Sequence, residues 1–134
     1  MAANPPDWPE DFLDAHIRHW EDAELLFGET RLANADHLYG LSAECGLKAL
    51  WPRLIGRNLT RRERLHIDRL WDRFVREANN RRLLQPIRIS RQNPFADWRI
   101  DQRYANRQNF NQNFVDQHRQ GAAAIRNWVR EVMP

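Results

Sequence analysis

Eight polar side chains in this chain of 134 residues are of the types that hold anions or transfer protons. Carboxylates and imidazoles can take up and release protons, and arginine, lysine and tyrosine can hold an anionic oxygen. The eight are spread over three predicted helical segments, so they can act together only where those segments pack against one another. They are Glu44, Lys48, His66, Asp101, Arg103, Tyr104, Arg107 and His118.

Glu44 and Lys48 lie in the most apolar stretch of the sequence, residues 31–51. Their spacing of four residues puts both on one helix face, in the order that favours an ion pair. Small neighbours such as Ala43 and Gly46 would let other helices come close. Two interpretations stay open: the pair is partly buried between helices, or it lies on a polar edge in contact with water.

A second group lies in the segment WRIDQRYANR, which contains Asp101, Arg103, Tyr104 and Arg107. Arg103 and Arg107 are one helical turn apart and would face the same way. Two arginines beside a tyrosine can hold a phosphate or a base. They can equally brace helices through carboxylates such as Asp101.

The histidines His66 and His118 are the candidate proton-transfer groups. His66 is at the edge of the apolar face of LHIDRLW, where it either acts on a ligand or only bonds to a neighbouring helix. His118 falls on the apolar side of the last predicted helix. Our hypothesis is that Glu44, Lys48, His66 and Arg103 converge, with either histidine within reach of Arg103.

Other familiar sites are missing from the sequence. There is no HExxH motif and no two-cysteine metal site, and His16 and His19 have no obvious third ligand, so we expect no metal and no cofactor. No glycine-rich phosphate loop and no serine hydrolase elbow occurs. The single cysteine, Cys45, excludes an internal disulfide and fits a small core residue.

The elements that must position these groups are helices. The apolar periodicity predicts an all-α protein: an antiparallel bundle of four main helices plus a short extra helical turn. Helix one covers residues 10–27, and helix two starts at residue 31 and is broken by Pro52 and Gly56. A capping box at Thr60 and Glu63 starts helix three, which ends near Ala78.

The rest of the chain is predicted as a loop, a turn and a last helix. Residues 81–93 form the loop, with a brief strand-like stretch at 87–89, and Asn93 caps a short turn over residues 95–100. One side of the last helix carries Phe110, Phe114, His118, Gly121, Ile125, Trp128 and Val132.

The composition favours one compact domain, residues 10–133, after an extended lead-in at residues 1–9. Hydrophobic residues make up 42% of the chain, which argues against disorder. Lys48 is the only lysine, so arginine supplies the remaining positive charge, either for phosphate contacts or as solvated surface. No apolar run suits a membrane span and no secretory signal is evident, so we expect a cytoplasmic protein with no membrane partner.

Three motifs in this order, HLYGLSAECGLKALW, LHIDRLWDRF and WRIDQRYA, together resemble the HEPN superfamily of small helical bundles. The resemblance covers roughly residues 14–128. It is strongest in the second helix, where Tyr39, small residues, Glu44-Cys45 and then Lys48 follow the family pattern. The resemblance implies an HEPN-like bundle that commonly pairs as a homodimer.

Many HEPN proteins are metal-independent ribonucleases, in which a closely spaced arginine and histidine handle the 2′-hydroxyl and the scissile phosphate. The corresponding segment here, RYANRQNFNQNF, supplies Arg103 and Arg107 but no histidine, with Asn109 and Asn111 where one is expected. This departure favours a module that binds RNA, a nucleotide or a protein partner without cutting.

Three functions follow as alternatives. The first is an HEPN-like binding module with a degenerate nuclease motif, in a toxin–antitoxin or defence system, with a nucleotidyltransferase-type protein as a possible partner. The second is a metal-independent endoribonuclease acting as a dimer, and the third is a purely structural dimerisation protein. Six tryptophans also favour a homodimer, because one short chain is not expected to hide them all. The enzyme would use Arg103, Tyr104 and His66 or His118, and binding would use Glu44, Lys48, Asp101 and Arg107.

Overall fold

The computed structural model describes residues 7–81 and 88–134. Within these ranges the chain is helical and contains no strand, so the all-α prediction is confirmed there. None of the described helices combines the length and the apolar character needed to cross a membrane. The α-helices are α1 (Phe12–Gly28), α2 (Leu32–Ile55), α3 (Ile67–Asn80) and α4 (Gln112–Val132), and the short 3₁₀ helices are η1 (Arg61–Glu63), η2 (Ile100–Tyr104) and η3 (Arg107–Asn109).

Helix α2 is central, and the other elements pack around it. It contacts α1, α3, α4, η2 and η3, and its buried residues point to all of them. Two glycines permit close approach: a methyl group at Gly40 would lie 2.0 Å from Cε2 of Trp98, and one at Gly46 would lie 2.5 Å from Cγ2 of Ile125. The prediction that this helix lies in the middle of the bundle is confirmed.

Helices α1 and α2 form an antiparallel hairpin. His16 contacts Ser42 and Trp20 contacts Tyr39. Later residues of α1 therefore contact earlier residues of α2, as in an antiparallel pair. Helix α1 starts two residues later than predicted because Asp11 is its N-cap. The carboxylate of Asp11 accepts a hydrogen bond from the backbone N–H of Asp14 at 3.0 Å.

Of the two residues predicted to break the second helix, Gly56 does end it, but the prediction is wrong for Pro52. Pro52 lies inside α2, which continues to Ile55 and ends at Gly56, where φ is 88°. Pro52 is exposed, and Ile55 in the same last turn is buried. The helix therefore gives up one N–H donor at Pro52 and keeps the packing of its final turn.

The predicted start of the third helix is also wrong. The capping box of Thr60 and Glu63 forms, but it caps η1, and α3 begins only at Ile67. Glu63 is buried and accepts hydrogen bonds from the guanidinium of Arg57 at 2.6 and 2.8 Å. These bonds fix Glu63 in a separate short turn ahead of α3.

The long connection between α3 and α4 covers one side of the bundle. Residues 82–87, which include part of the predicted loop and strand-like stretch, lie outside the described residues, as do residues 1–6 of the lead-in. The predicted cap forms, because Oδ1 of Asn93 accepts from the N–H of Phe95 at 2.8 Å. Residues 94–97 form a turn, η2 follows it, and α4 starts only at Gln112, so Phe110 lies before the helix predicted to carry it.

Aromatic side chains fill the core between α2, α3 and α4. Phe74 meets Trp51 and Trp128 edge to face, with ring centroids 5.7 and 5.5 Å apart. Four of the six tryptophans are at most 2% exposed: Trp51, Trp71, Trp98 and Trp128. Trp8 is 60% exposed, so the chain does not hide all six tryptophans, and the homodimer stays a prediction.

Candidate functional site

Glu44, Lys48 and His66 form one polar cluster, which we call the Glu44 cluster. Nζ of Lys48 donates to Oε2 of Glu44 at 3.1 Å, and Nδ1 of His66 lies 2.9 Å from Oε1. Glu44 is 7% exposed, and 10% of the Lys48 side chain is exposed. The pair is therefore buried between helices, and the interpretation that places it in water is wrong.

Arg103 does not join the Glu44 cluster, so that part of the predicted convergence is wrong. Its guanidinium donates to the carbonyl of Ile100 at 3.2 Å and lies 4.8 Å from the ring centroid of Tyr104. The reason is that η2 packs beside Asp36 and Gly40, nearer the start of α2 than Lys48.

The Glu44 cluster can orient an imidazole. The carboxylate fixes Nδ1 of His66, whose side chain is about half exposed. The neighbouring Cys45 is not an activated nucleophile, because burial and then the charge of Glu44 raise the pKa of its thiol to about 11. The prediction that Cys45 is a packing residue agrees with this environment.

A cleft of about 380 Å³ opens where η2 and η3 meet the start of α2. Arg31, Arg103 and Arg107 line it, and we call it the arginine cleft. Its other walls include Asn34 and Gln102, so the lining combines guanidinium groups with neutral amides. The two arginines that the sequence singled out therefore meet a third, from the start of α2.

The charged side chains that line the arginine cleft are all positive. No carboxylate lines it, and among the described residues Arg31 and Arg107 form no ion pair. The first turn of α2 has no acidic residue, and Arg31 at the N-cap makes no side-chain hydrogen bond to it. Since the amino end of a helix carries positive partial charge, helix and arginines attract an anion together.

The turn before α2 is strained where it borders the arginine cleft. Thr30 has a φ of 57°, a left-handed conformation that a β-branched residue rarely adopts. The turn is held by a hydrogen bond from the N–H of Arg31 to the carbonyl of Leu26 at 2.8 Å. Such strain is often found at functional sites, and the strained residue here directly precedes Arg31.

Tyr104 stands between two residues that line the cleft, Arg103 and Ala105. Its side chain is 77% exposed, so most of its ring is open to solvent. Asp101 is exposed as well, and among the described residues no ion pair joins it to Arg103 or Arg107. The alternative in which Asp101 braces these arginines is therefore wrong.

His118 belongs to a second polar cluster, buried behind the cleft. Nδ1 of His118 lies 2.6 Å from Oδ1 of Asp36, and Nε2 lies 2.7 Å from Oδ1 of Asp97. His118 and Asp36 are fully buried. Burial lowers the pKa of His118, but the hydrogen bonds and charges of Asp36 and Asp97 outweigh it, so the pKa is raised above its ordinary value.

These contacts separate both candidate histidines from Arg103. His118 has both ring nitrogens engaged and no exposed surface, and His66 is bonded to Glu44. The hypothesis that either histidine acts beside Arg103 is therefore not supported by the geometry. The histidine whose environment Arg103 does influence is His37, where burial and then the charge of Arg103 lower the pKa.

Sequence reasoning missed Asp36, Asp97 and Gln102. It did not assign Arg31 to the site, because the spacing from Arg31 to His37 lies in the wrong helix for the nuclease motif and such matches are expected by chance among so many arginines. Asp36 could have been found, because it falls on the same α2 stripe as Tyr39 and Ala43, and a charge there needs a partner. Gln102 lies in a short 3₁₀ helix and Asp97 in a turn, where spacing does not show which way a side chain points.

Comparison of the chain with family models, curated proteins and solved structures gave no match. The resemblance to the HEPN superfamily therefore rests on the three sequence motifs. In the described part of the chain no three His, Cys, Asp or Glu side chains are grouped to hold a metal ion.

Proposed function

We propose that this protein is an HEPN-like module that binds RNA or a nucleotide in the arginine cleft without cutting it. The observation that carries the proposal is the meeting of Arg31, Arg103 and Arg107 in one cleft without a carboxylate. Guanidinium groups bind phosphate oxygens in pairs of hydrogen bonds, and unpaired arginines are available for this. A toxin–antitoxin or defence setting is part of the proposal and is supported only by the resemblance.

Tyr104 favours an unpaired nucleotide as the ligand. An exposed ring beside a basic groove is the arrangement on which single-stranded bases stack. A base on Tyr104 would leave its phosphate next to Arg103, which contacts the same ring. The amide of Asn34 lies in the same cleft and can bond to a base edge or a sugar.

The nuclease alternative would need an imidazole at the scissile phosphate. His118 is enclosed, and His66 is bonded to Glu44, away from the arginine cleft. His37, whose pKa the charge of Arg103 lowers, is not among the residues that line the cleft. The arrangement therefore supports binding better than cleavage. Metal-independent RNA cleavage by the purified protein, lost in Arg103→Ala, would overturn the binding-only proposal.

The first test compares two arginines in fluorescence anisotropy with a short unstructured RNA. Arg107→Ala removes a charged hydrogen bond to phosphate, so we expect a loss of affinity of about tenfold. Arg53→Ala removes another exposed arginine, at the other end of α2, and should leave affinity unchanged. Equal affinities for the two variants would rule out the arginine cleft as the binding site.

The salt dependence of binding and two variants of Tyr104 extend the same test. Each phosphate contact to a single strand contributes about 0.7 to the slope of log affinity against log salt, so Arg107→Ala should flatten the slope by about that amount. Tyr104→Ala should weaken binding by about 1 to 3 kcal/mol for a stacked base. Tyr104→Phe keeps the ring and should bind like the wild type.

A further inference from the structure

The cluster of Asp36, His118 and Asp97 lies directly behind the arginine cleft and touches the wall that carries Arg103. We propose that this cluster holds that wall in its binding position, so that affinity for a phosphate ligand depends on the proton held by His118. This inference rests on the proposed function, because it concerns the same cleft. It assigns positioning roles to Asp36 and His118, neither of which lines the cleft.

Asp36 links the buried cluster to the cleft wall. Its Oδ2 accepts a hydrogen bond from Nε2 of Gln102 at 2.5 Å, and Gln102 precedes Arg103 on η2. Its backbone carbonyl accepts from Nε1 of Trp98 at 3.1 Å. One residue of the central helix thus holds η2 and the turn that leads into it.

His118 extends this link to α4. It joins Asp36 on α2 to Asp97 in the turn before η2, at 2.6 and 2.7 Å. Phe95 stacks on the imidazole at 5.3 Å and Phe114 meets it edge on at 4.7 Å, so the ring has no room to turn. The cluster therefore fastens two helices and the wall of the cleft at a single point.

The charges that face His118 require a proton on each ring nitrogen. Among the described residues, its charged partners are the carboxylates of Asp36 and Asp97, and an ionised carboxylate can only accept hydrogen bonds. The flanking Phe95 and Phe114 rings bring no charge. Loss of one proton would place a nitrogen lone pair against a carboxylate, and the negative charges of Asp36 and Asp97 would lose the positive charge between them.

Asp97 is the member of the cluster whose side chain has room to move. Its side chain is 49% exposed, whereas Asp36 and His118 are fully buried. When His118 loses its proton, we expect Asp97 to turn to water and the segment leading into η2 to move with it. Arg103 and Gln102 would then leave the geometry in which they face Arg31.

The test follows binding and wall position against pH from about 6 to about 9. The probe is a short oligoadenylate, whose internal phosphodiesters keep their charge over that range. Below the raised pKa of His118 the wall is held, and above it the wall is released, so affinity should fall with rising pH. We expect a decrease of about fivefold or more, the usual size of coupling between two sites. The indole N–H resonance of Trp98 should shift with the same midpoint.

Three variants decide the outcome. His118→Gln cannot carry the proton, so its affinity should equal the high-pH value of the wild type at every pH. Asp97→Asn, which is half exposed and so less disruptive, should move the midpoint to lower pH because it removes a charge that holds the proton. His19→Gln makes the same exchange on α1 and should keep the wild-type profile.

The two proposals fail differently. One outcome is that the oligoadenylate does not bind at any pH while the Trp98 resonance still titrates with His118. In that case the proposed ligand is wrong, but protonation of His118 does control the position of the segment that carries Trp98. If binding occurs with the same pH profile in the wild type and in Asp97→Asn, or if the Trp98 resonance does not respond to the titration, the positioning role is overturned. Because coupling is reciprocal, saturating ligand should also raise the His118 midpoint.

Discussion

Glu44 shows how one residue in this bundle serves two neighbours. It is the carboxylate partner of Lys48, and its other oxygen contacts His66. Glu44→Ala would leave the Lys48 ammonium, with 10% of its side chain exposed, without that partner. Losing one member of a buried ion pair destabilises a fold by about 3 to 5 kcal/mol, and we expect this loss in urea melts.

Glu29→Ala is the matched control for this prediction. Glu29 follows α1, is exposed, and makes no side-chain ion pair among the described residues. An exposed truncation of this kind changes the free energy of unfolding by about 0.5 kcal/mol or less. If both variants stay within about 0.5 kcal/mol of the wild type, the Glu44 cluster does not stabilise the fold.

At the same scale, the sequence predicts pairs along one helix better than pairs between elements. The spacing of Glu44 and Lys48 predicts their contact because a helix fixes the distance between such positions. His66 could be placed near them only as a hypothesis about packing. Arg103 could not be placed, since its direction depends on η2, and a short 3₁₀ helix has no apolar stripe to set its orientation.

Among the elements, the contact of α2 with the turn before η2 depends on the absence of a side chain at Gly40. A Cβ there would lie 2.0 Å from Cε2 of Trp98, which is fully buried and bonded to Asp36. Gly40→Ala should therefore lower the free energy of unfolding by about 1 to 3 kcal/mol, the usual effect of overpacking.

Gly28 provides the contrast. It is also helical, at the end of α1, and a Cβ there would meet nothing within 4 Å. Gly28→Ala should be neutral or stabilising by up to about 1 kcal/mol, because alanine restricts the unfolded chain. Urea melts of the two variants measure the difference, and equal stabilities would show that the Trp98 contact is loose.

The same elements show which parts of the fold can be predicted from sequence. Long apolar stripes predict the four main helices because each stripe must be buried. Local breakers predict their ends less well: Pro52 is tolerated inside α2, and the Thr60 capping box serves a separate turn. The cleft wall opposite α2 consists of η2, η3 and the residues between them, which are too short to show an apolar period, so the cleft could not be foreseen.

For the whole molecule, buried histidines of opposite behaviour shape the pH dependence of stability. The raised pKa of His118 stabilises the fold fully below the unfolded value, and this stabilisation is lost as pH rises through the folded pKa. Burial lowers the pKa of His16 to about 4, with the hydrogen bond to the Ser42 carbonyl opposing it. A lowered histidine pKa has the opposite effect on stability, because the unfolded chain binds the proton more readily than the folded protein does. His16 therefore destabilises the fold as the pH falls.

The last prediction separates these two histidines by urea melts at about pH 7.5 and about pH 5. Between these values the unfolded chain takes up a proton at His16 that the folded protein excludes, which removes about 2 kcal/mol of stability. His16→Gln should therefore lose about 2 kcal/mol less on acidification than the wild type, whatever its stability at the higher pH. His118→Gln should lose more than the wild type, because it lacks the histidine that stabilises the fold in acid. If all three proteins lose the same amount of stability, neither histidine governs the pH dependence of the fold.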